Sequence, residues 1–203
     1  GEIVWSSDGQ TLFVGGLNLY VVDVTNTANP QVMSTVSPGE SNLYRWERLV
    51  VDESRNLLFA NRPGAGSADA AVPGAISIFD IAVPDSVSLV GELELPDANA
   101  LGFDLIENTH YLAIAGGDEI SFVDTSIISQ PSLLGSVTPA GGAMTTKSVD
   151  GGNRLLVGTS TGINYMDVGD PPSAFSAGVD TVSALVGYPP VNSLPGDQTI
   201  VTG

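Results

Sequence analysis

The chain has 203 residues, 42% of them hydrophobic, with 24 Gly, 13 Pro, one His and no Cys. That apolar content supports a packed core and excludes intrinsic disorder, while the lack of cysteine excludes disulfides, thiolate catalysis, iron–sulfur clusters and Cys-based zinc sites. Six Lys+Arg against 23 Asp+Glu leave a formal net charge of −17, which disfavours nucleic acid and anionic membrane surfaces as partners and suits either solubility in a salty or extracellular setting or divalent-cation binding.

In chain order, four units share one pattern. Each has a polar turn, a short apolar run, an alternating run ending in Asp, a Pro-containing turn and a further apolar run. The opening Gly1-Glu2-Ile3-Val4-Trp5 reads as strand and not as a signal peptide. The turn Ser7-Asp8-Gly9-Gln10 then leads into Thr11-Leu12-Phe13-Val14, the alternating run Leu17–Val24 with Asp23, Pro30, and Gln31-Val32-Met33-Ser34. The second unit has Leu57-Leu58-Phe59-Ala60, the run Ala75–Ile81 with Asp80, Pro84 and Val87–Val90. The third has Tyr111–Ile114, Glu119–Asp124, Pro131 and Ser132–Gly135; the fourth has Leu155–Gly158, Gly162–Val168 with Asp167, Pro171-Pro172 and Ala174–Ala177.

The aspartates recur 57, 44 and 43 residues apart, the longer step being an insertion over 61–75. Short strands at roughly ten-residue spacing, with no stretch holding a helical apolar period, predict an all-β chain. A four-strand unit of this length is the pattern of a β-propeller blade. Val21-Val22-Asp23-Val24-Thr25-Asn26 with Pro30 resembles the LVIVD repeat of exported bacterial and archaeal β-propellers, and Ser7–Val14 is similar to the Asp-Gly-x-x-Leu-aromatic-Val segment of YVTN-type propellers. The expected blades are 1–38, 39–97, 98–141 and 142–182, with a half blade over 183–203. An open ring leaves a sheet edge exposed, so a larger ring of roughly six to eight blades is expected; a five-bladed ring or edge pairing between chains is the alternative.

The repeated Asp23, Asp80, Asp124 and Asp167 can be read as cation-binding carboxylates, with Ca²⁺ the candidate ion, or as turn residues whose side chains accept backbone N–H groups. Repetition in every unit favours architecture. The insertion breaks the repeat. It and the link Pro38–Trp46 are expected on one face of a propeller, bringing Tyr44, Arg45, Trp46 and Arg62 near one another, with Arg48 and Arg55 close in sequence. Arginine and aromatic residues on an acidic surface form the usual core of a binding hot spot; pairing with Glu47, Asp52 and Glu53 is the alternative. His110 is expected on the surface. Gly64-Ala65-Gly66 and Gly141-Gly142 lack the Lys and helix of a phosphate loop, and Asp150-Gly151-Gly152-Asn153 reads as a hairpin turn.

Together these features suggest a non-catalytic, secreted or cell-surface module that binds a protein or carbohydrate partner and does not insert into membranes. A cation-dependent, lactonase-like hydrolase and a self-assembling oligomer are the rival readings.

Overall fold

The computed structural model describes residues 1–37, 45–64, 74–95, 100–116, 118–139 and 141–168. Among the described residues, fifteen strands lie in four antiparallel sheets. The first sheet contains β1 (Ile3–Trp5), β2 (Thr11–Val14), β3 (Leu19–Asp23) and β4 (Gln31–Val36). The second contains β5 (Arg48–Asp52), β6 (Leu57–Arg62), β7 (Ala75–Asp80) and β8 (Ser88–Glu94). The third contains β9 (Gly102–Leu105), β10 (Tyr111–Gly116), β11 (Glu119–Asp124) and β12 (Ser132–Val137). The fourth contains β13 (Thr145–Val149), β14 (Arg154–Thr159) and β15 (Gly162–Asp167). The expected strand at 174–177 and the half blade over 183–203 lie outside the described residues.

Strand order within each sheet follows chain order. The first strands also stand side by side: β1 touches β5, β5 touches β9, and β9 touches β13. Sheets arranged around their innermost strands in this way are the blades of a β-propeller, about four of which are present.

The core is a set of seams between blades. Side chains alternate across a strand, so each blade feeds two seams. Leu58 and Ala60 of β6 pack with Phe13 and Val21 of the first blade, while Leu57 and Phe59 pack with Leu112 and Ile114 of the third. Ala113 and Ala115 of β10 turn the other way, toward Leu155 and Val157 of the fourth. With a neighbour on each side, every residue of β6 is buried. Burial on both faces explains why Leu57-Leu58-Phe59-Ala60 is continuously apolar.

A bulge recurs in the first three blades. Register slips between Val21 and Val22, Ile78 and Phe79, and Phe122 and Val123, each time just before the repeated Asp. The unpaired residue opposite is Met33, Val90 or Leu134, and each packs into the seam toward the next blade. A bulge re-aims a side chain in this manner.

Candidate functional site

Blade edges define two faces. On one, the chain preceding β5 returns against both neighbours: the Trp46 amide donates to Gly16 O and the Glu47 amide to Asn61 O, both at 2.9 Å. The β6–β7 connection opens on this face, with the Leu95 amide donating to Gly74 O at 2.8 Å. Both ends of the 61–75 insertion belong to the strands. Asn61 pairs with Ile76 and Arg62 with Ala75, so its ends extend the hairpin and only 63–74 connects the strands.

The opposite face carries blade-to-blade hydrogen bonds. Glu53 accepts the Ser7 amide at 2.7 Å, and Asn108 donates to Gly151 O at 3.1 Å. Arg55 pairs with Asp52 and reaches across the seam to Thr125, donating to its carbonyl at 3.0 Å and its hydroxyl at 3.1 Å. Thr125 in turn donates to His110 O at 2.7 Å, and the His110 side chain is exposed. Burial, the largest single influence on Asp52, pushes its carboxyl up. Hydrogen bonds from Ser54 and Arg55, together with the Arg55 charge, outweigh it and hold the group below the usual carboxylate range.

The repeated aspartates close Asx turns. Asp23 accepts the Thr25 amide at 2.8 Å, Asp80 the Ala82 amide at 2.9 Å and Asp124 the Ser126 amide at 2.7 Å. Asp167 ends β15 opposite Arg154, the same place in its blade; its side chain lies outside what is described. Among the described residues, no three His, Asp or Glu side chains come together to hold a metal ion.

Of the proposed site residues, Tyr44 lies outside the described residues. Arg45 is on the surface, its side chain 60% exposed and 2.6 Å from Glu47. Arg48 faces Glu2 at 3.9 Å. Trp46 and Arg62 are both buried, and they line the same cavity, about 250 Å³ in the seam between the first two blades. Trp46 packs edge-on against Phe79, ring centroids 5.2 Å apart. Its indole N–H donates to Ser77 Oγ at 3.3 Å, and Ser77 donates to Glu92 at 3.1 Å. Arg62 approaches the other Glu92 oxygen at 3.4 Å. Val36, Phe79 and Leu89 form the apolar wall.

This composition breaks the repeat. In the strand registers, Trp46 occupies the place of Ala100 and Ala143, Arg62 that of Gly16 and Gly116, and Glu92 that of Thr35 and Ser136. The fourth blade has Thr159 in the register of Arg62; only in the second blade do a large ring, a cation and an anion from these positions surround a space. Ser77 and Glu92 were not singled out by sequence reading. The signal for Glu92 is an acid where the aligned fourth strands carry hydroxyl side chains.

No family model and no curated protein matches the chain. Solved structures do. A candidate 6-phosphogluconolactonase of Bacteroides uniformis is similar at 12% identity and TM-score 0.64, over 81% of this chain and 49% of that one. The Myceliophteria thermophila Cps50 (Swd1) β-propeller domain is similar at 14% identity and TM-score 0.61, over 80% and 49%. A chain of the Mitotic Checkpoint Complex is similar at 15% identity and TM-score 0.58, over 79% and 46%. The chain therefore spans about half the length of the structures it matches. These likenesses, together with four sheets packed through their first strands, identify the fold as a β-propeller.

Proposed function

We propose that the chain is a non-catalytic, LVIVD-like propeller module, secreted or held at the cell surface, that engages a protein or glycan partner through the face bearing Arg45, Trp46 and Arg62. The observation that carries this reading is the seam cavity. It opens between the first two blades, and its Trp46, Arg62 and Glu92 replace the small or neutral residues that the other blades use in the same registers. The departures from the repeat gather around one cavity, which supports a ligand there. The net charge of −17 suits an exported acidic protein. Occurrence of a similar fold in the Mitotic Checkpoint Complex supports the binding role by analogy of architecture alone.

The test is a panel of immobilised glycans and extracellular proteins from the source organism, with affinity measured for each hit. R45A and E92A should weaken binding to a genuine partner by about tenfold each, while E53A on the opposite face should leave it unchanged. A panel with no hit, or hits indifferent to R45A and E92A, would overturn the reading. For the hydrolase alternative, a cation bound only by the folded state raises Tm by mass action; the module proposed here melts at the same temperature in Ca²⁺ and in EDTA.

A second reading, self-assembly, is favoured by one observation. Trp5, Leu12, Val22 and Val32 form a row across the first blade on the side turned away from the second. Trp5 is 56% and Val32 60% exposed. The matching row of the second blade, Val51, Leu58, Phe79 and Leu89, faces the first blade, with Leu58 and Phe79 fully buried.

A further inference from the structure

We propose that the cavity between the first two blades is a sugar site: it takes one neutral pyranose ring of a glycan. This rests on the partner-binding reading of the same face and names the ligand class. The mouth of the cavity has hydrogen-bond acceptors on both sides of the seam. Ser37, exposed just beyond β4 of the first blade, donates its hydroxyl to Asn18 Oδ1 at 2.9 Å, which leaves its own oxygen to accept. Glu92, on β8 of the second blade, has a side chain 38% exposed. Its Oε2 accepts from Ser77 at 3.1 Å, and its Oε1 faces Arg62 at 3.4 Å. A carboxylate has about four lone-pair sites, so two remain for a ligand. An aliphatic side chain accompanies each acceptor: Val36 precedes Ser37, and Leu89 lies on the strand of Glu92. Buried Trp46, Arg62, Ser77 and Phe79 close the floor.

A ligand that fits this mouth donates at two separated edges and presents C–H surface between them. A pyranose does so, with hydroxyls around its rim and C–H groups on its faces, and two adjacent hydroxyls can share one carboxylate. Other classes meet less of the mouth. An ammonium or guanidinium has its donors on one charged centre and competes for Glu92 with the Arg62 cation already beside it. A carboxylate, phosphate or sulfate meets the Glu92 charge and the field of a chain of net charge −17. A carboxamide donates from a single nitrogen and bonds one side of the seam. Volume agrees. About 250 Å³ is below the usual range for a small-molecule pocket, about 300–1,000 Å³, and is enough for one ring. Trp46 is buried, so its ring sets the depth of the cavity and is not a stacking surface.

The Trp46 indole N–H donates to Ser77, which donates to Glu92, so a ligand on Glu92 is reported at the indole. In ¹⁵N-labelled full-length chain, W5F identifies the Trp46 resonance, since the sequence holds two tryptophans. Of methyl glucopyranoside, galactopyranoside and mannopyranoside, at least one should shift it saturably. The same sugar carrying a carboxylate at C6 or a free amine at C2 should bind about tenfold more weakly, the worth of roughly one hydrogen bond to a charged group. E92Q keeps the shape of the side chain and removes its charge, and should weaken the sugar by about tenfold. S37A, at an exposed hydroxyl, should weaken it severalfold with an unchanged Tm. The proposal is overturned if none of the three glycosides shifts the resonance, if a charged form binds as well as the neutral one, if E92Q and S37A both bind the sugar as the native chain does, or if N-acetyl-glutamine amide binds and the glycosides do not. These outcomes are separate from failure of the partner panel. A protein partner lost in R45A and E92A, with no sugar shift, rejects the chemistry only, and a saturable sugar shift without any hit on the panel rejects the module reading only.

Discussion

Gly91 faces the backbone carbonyl of Ile128 across the seam between the second and third blades, and a Cβ added at Gly91 would run into that oxygen. The contact is made at the bulge, where Ile78 pairs with Gly91 before the register slips. A backbone carbonyl cannot rotate aside as a flexible side chain can. The glycine there admits close approach of two blades; its φ is ordinary.

The G91A variant should therefore lose stability by about 1–3 kcal/mol, the usual penalty for overpacking. G16A is the control: a Cβ there lies 3.7 Å from Asn18 O, an ordinary contact, and its φ is also not left-handed. Urea melts of the two variants should separate clearly. Equal midpoints would mean that the seam adjusts at Gly91 without strain.

Acid should weaken the fold through its turn and seam carboxylates. Asp8 is held below its ordinary range by the Ser6 hydroxyl and then by the Gln10 amide, Asp23 by the Thr25 amide and then its side chain, and Asp52 as described above. Groups that bind protons less readily folded than unfolded add stability above the unfolded value, about 3.9 for Asp, and lose it as pH falls through the folded value. R55M removes the seam pair while keeping an apolar stem over Phe59, and should cost about 2 kcal/mol at pH 7. D52N should melt below the native chain at pH 7, with the gap closing as pH falls from the unfolded value, about 3.9, through the lower folded one. A gap that is constant with pH would remove Asp52 ionisation from the account.

Leu133 and Leu134 are consecutive and chemically identical, yet Leu133 is 50% exposed and Leu134 packs into the seam with the fourth blade. The bulge opposite Phe122 and Val123 separates them. L133K should change stability by less than about 0.5 kcal/mol. L134K, which drives a charge toward the seam, should cost several times more. Equal effects would mean that the bulge does not set the direction of these side chains.

That pair also shows what can be read from the sequence. The Asp period and the apolar runs gave the four-strand unit because each strand position repeats. The bulge was visible too, as an interruption of alternation at Val32-Met33, Leu89-Val90 and Leu133-Leu134, but a broken alternation alone does not say which residue turns inward. The site was harder. Arg62 belongs to the sequence insertion, and its hydrogen-bonded place in β6 depends on pairing with Ala75, thirteen residues away. Trp46 reads as a surface anchor until its register matches it to the buried Ala100 and Ala143 of the next two blades. Its burial follows from the blade behind it, which no local pattern contains.

The row Trp5, Leu12, Val22 and Val32 gives the last prediction. In its counterpart in the second blade, Leu58 and Phe79 are buried against the first blade while Leu89 stays half exposed, so a like surface of another chain would bury the middle of the row. If the assembly reading holds, sedimentation of the full chain should show a mass above that of one protomer that falls on dilution. W5S with V32S removes two exposed ends of the row, Trp5 and Val32 being more than half exposed, and leaves the buried seams untouched. The double variant should sediment as a single chain with an unchanged Tm. A native chain that is monomeric at every concentration would reject self-assembly. An oligomer unaffected by W5S and V32S would place its interface elsewhere on the propeller.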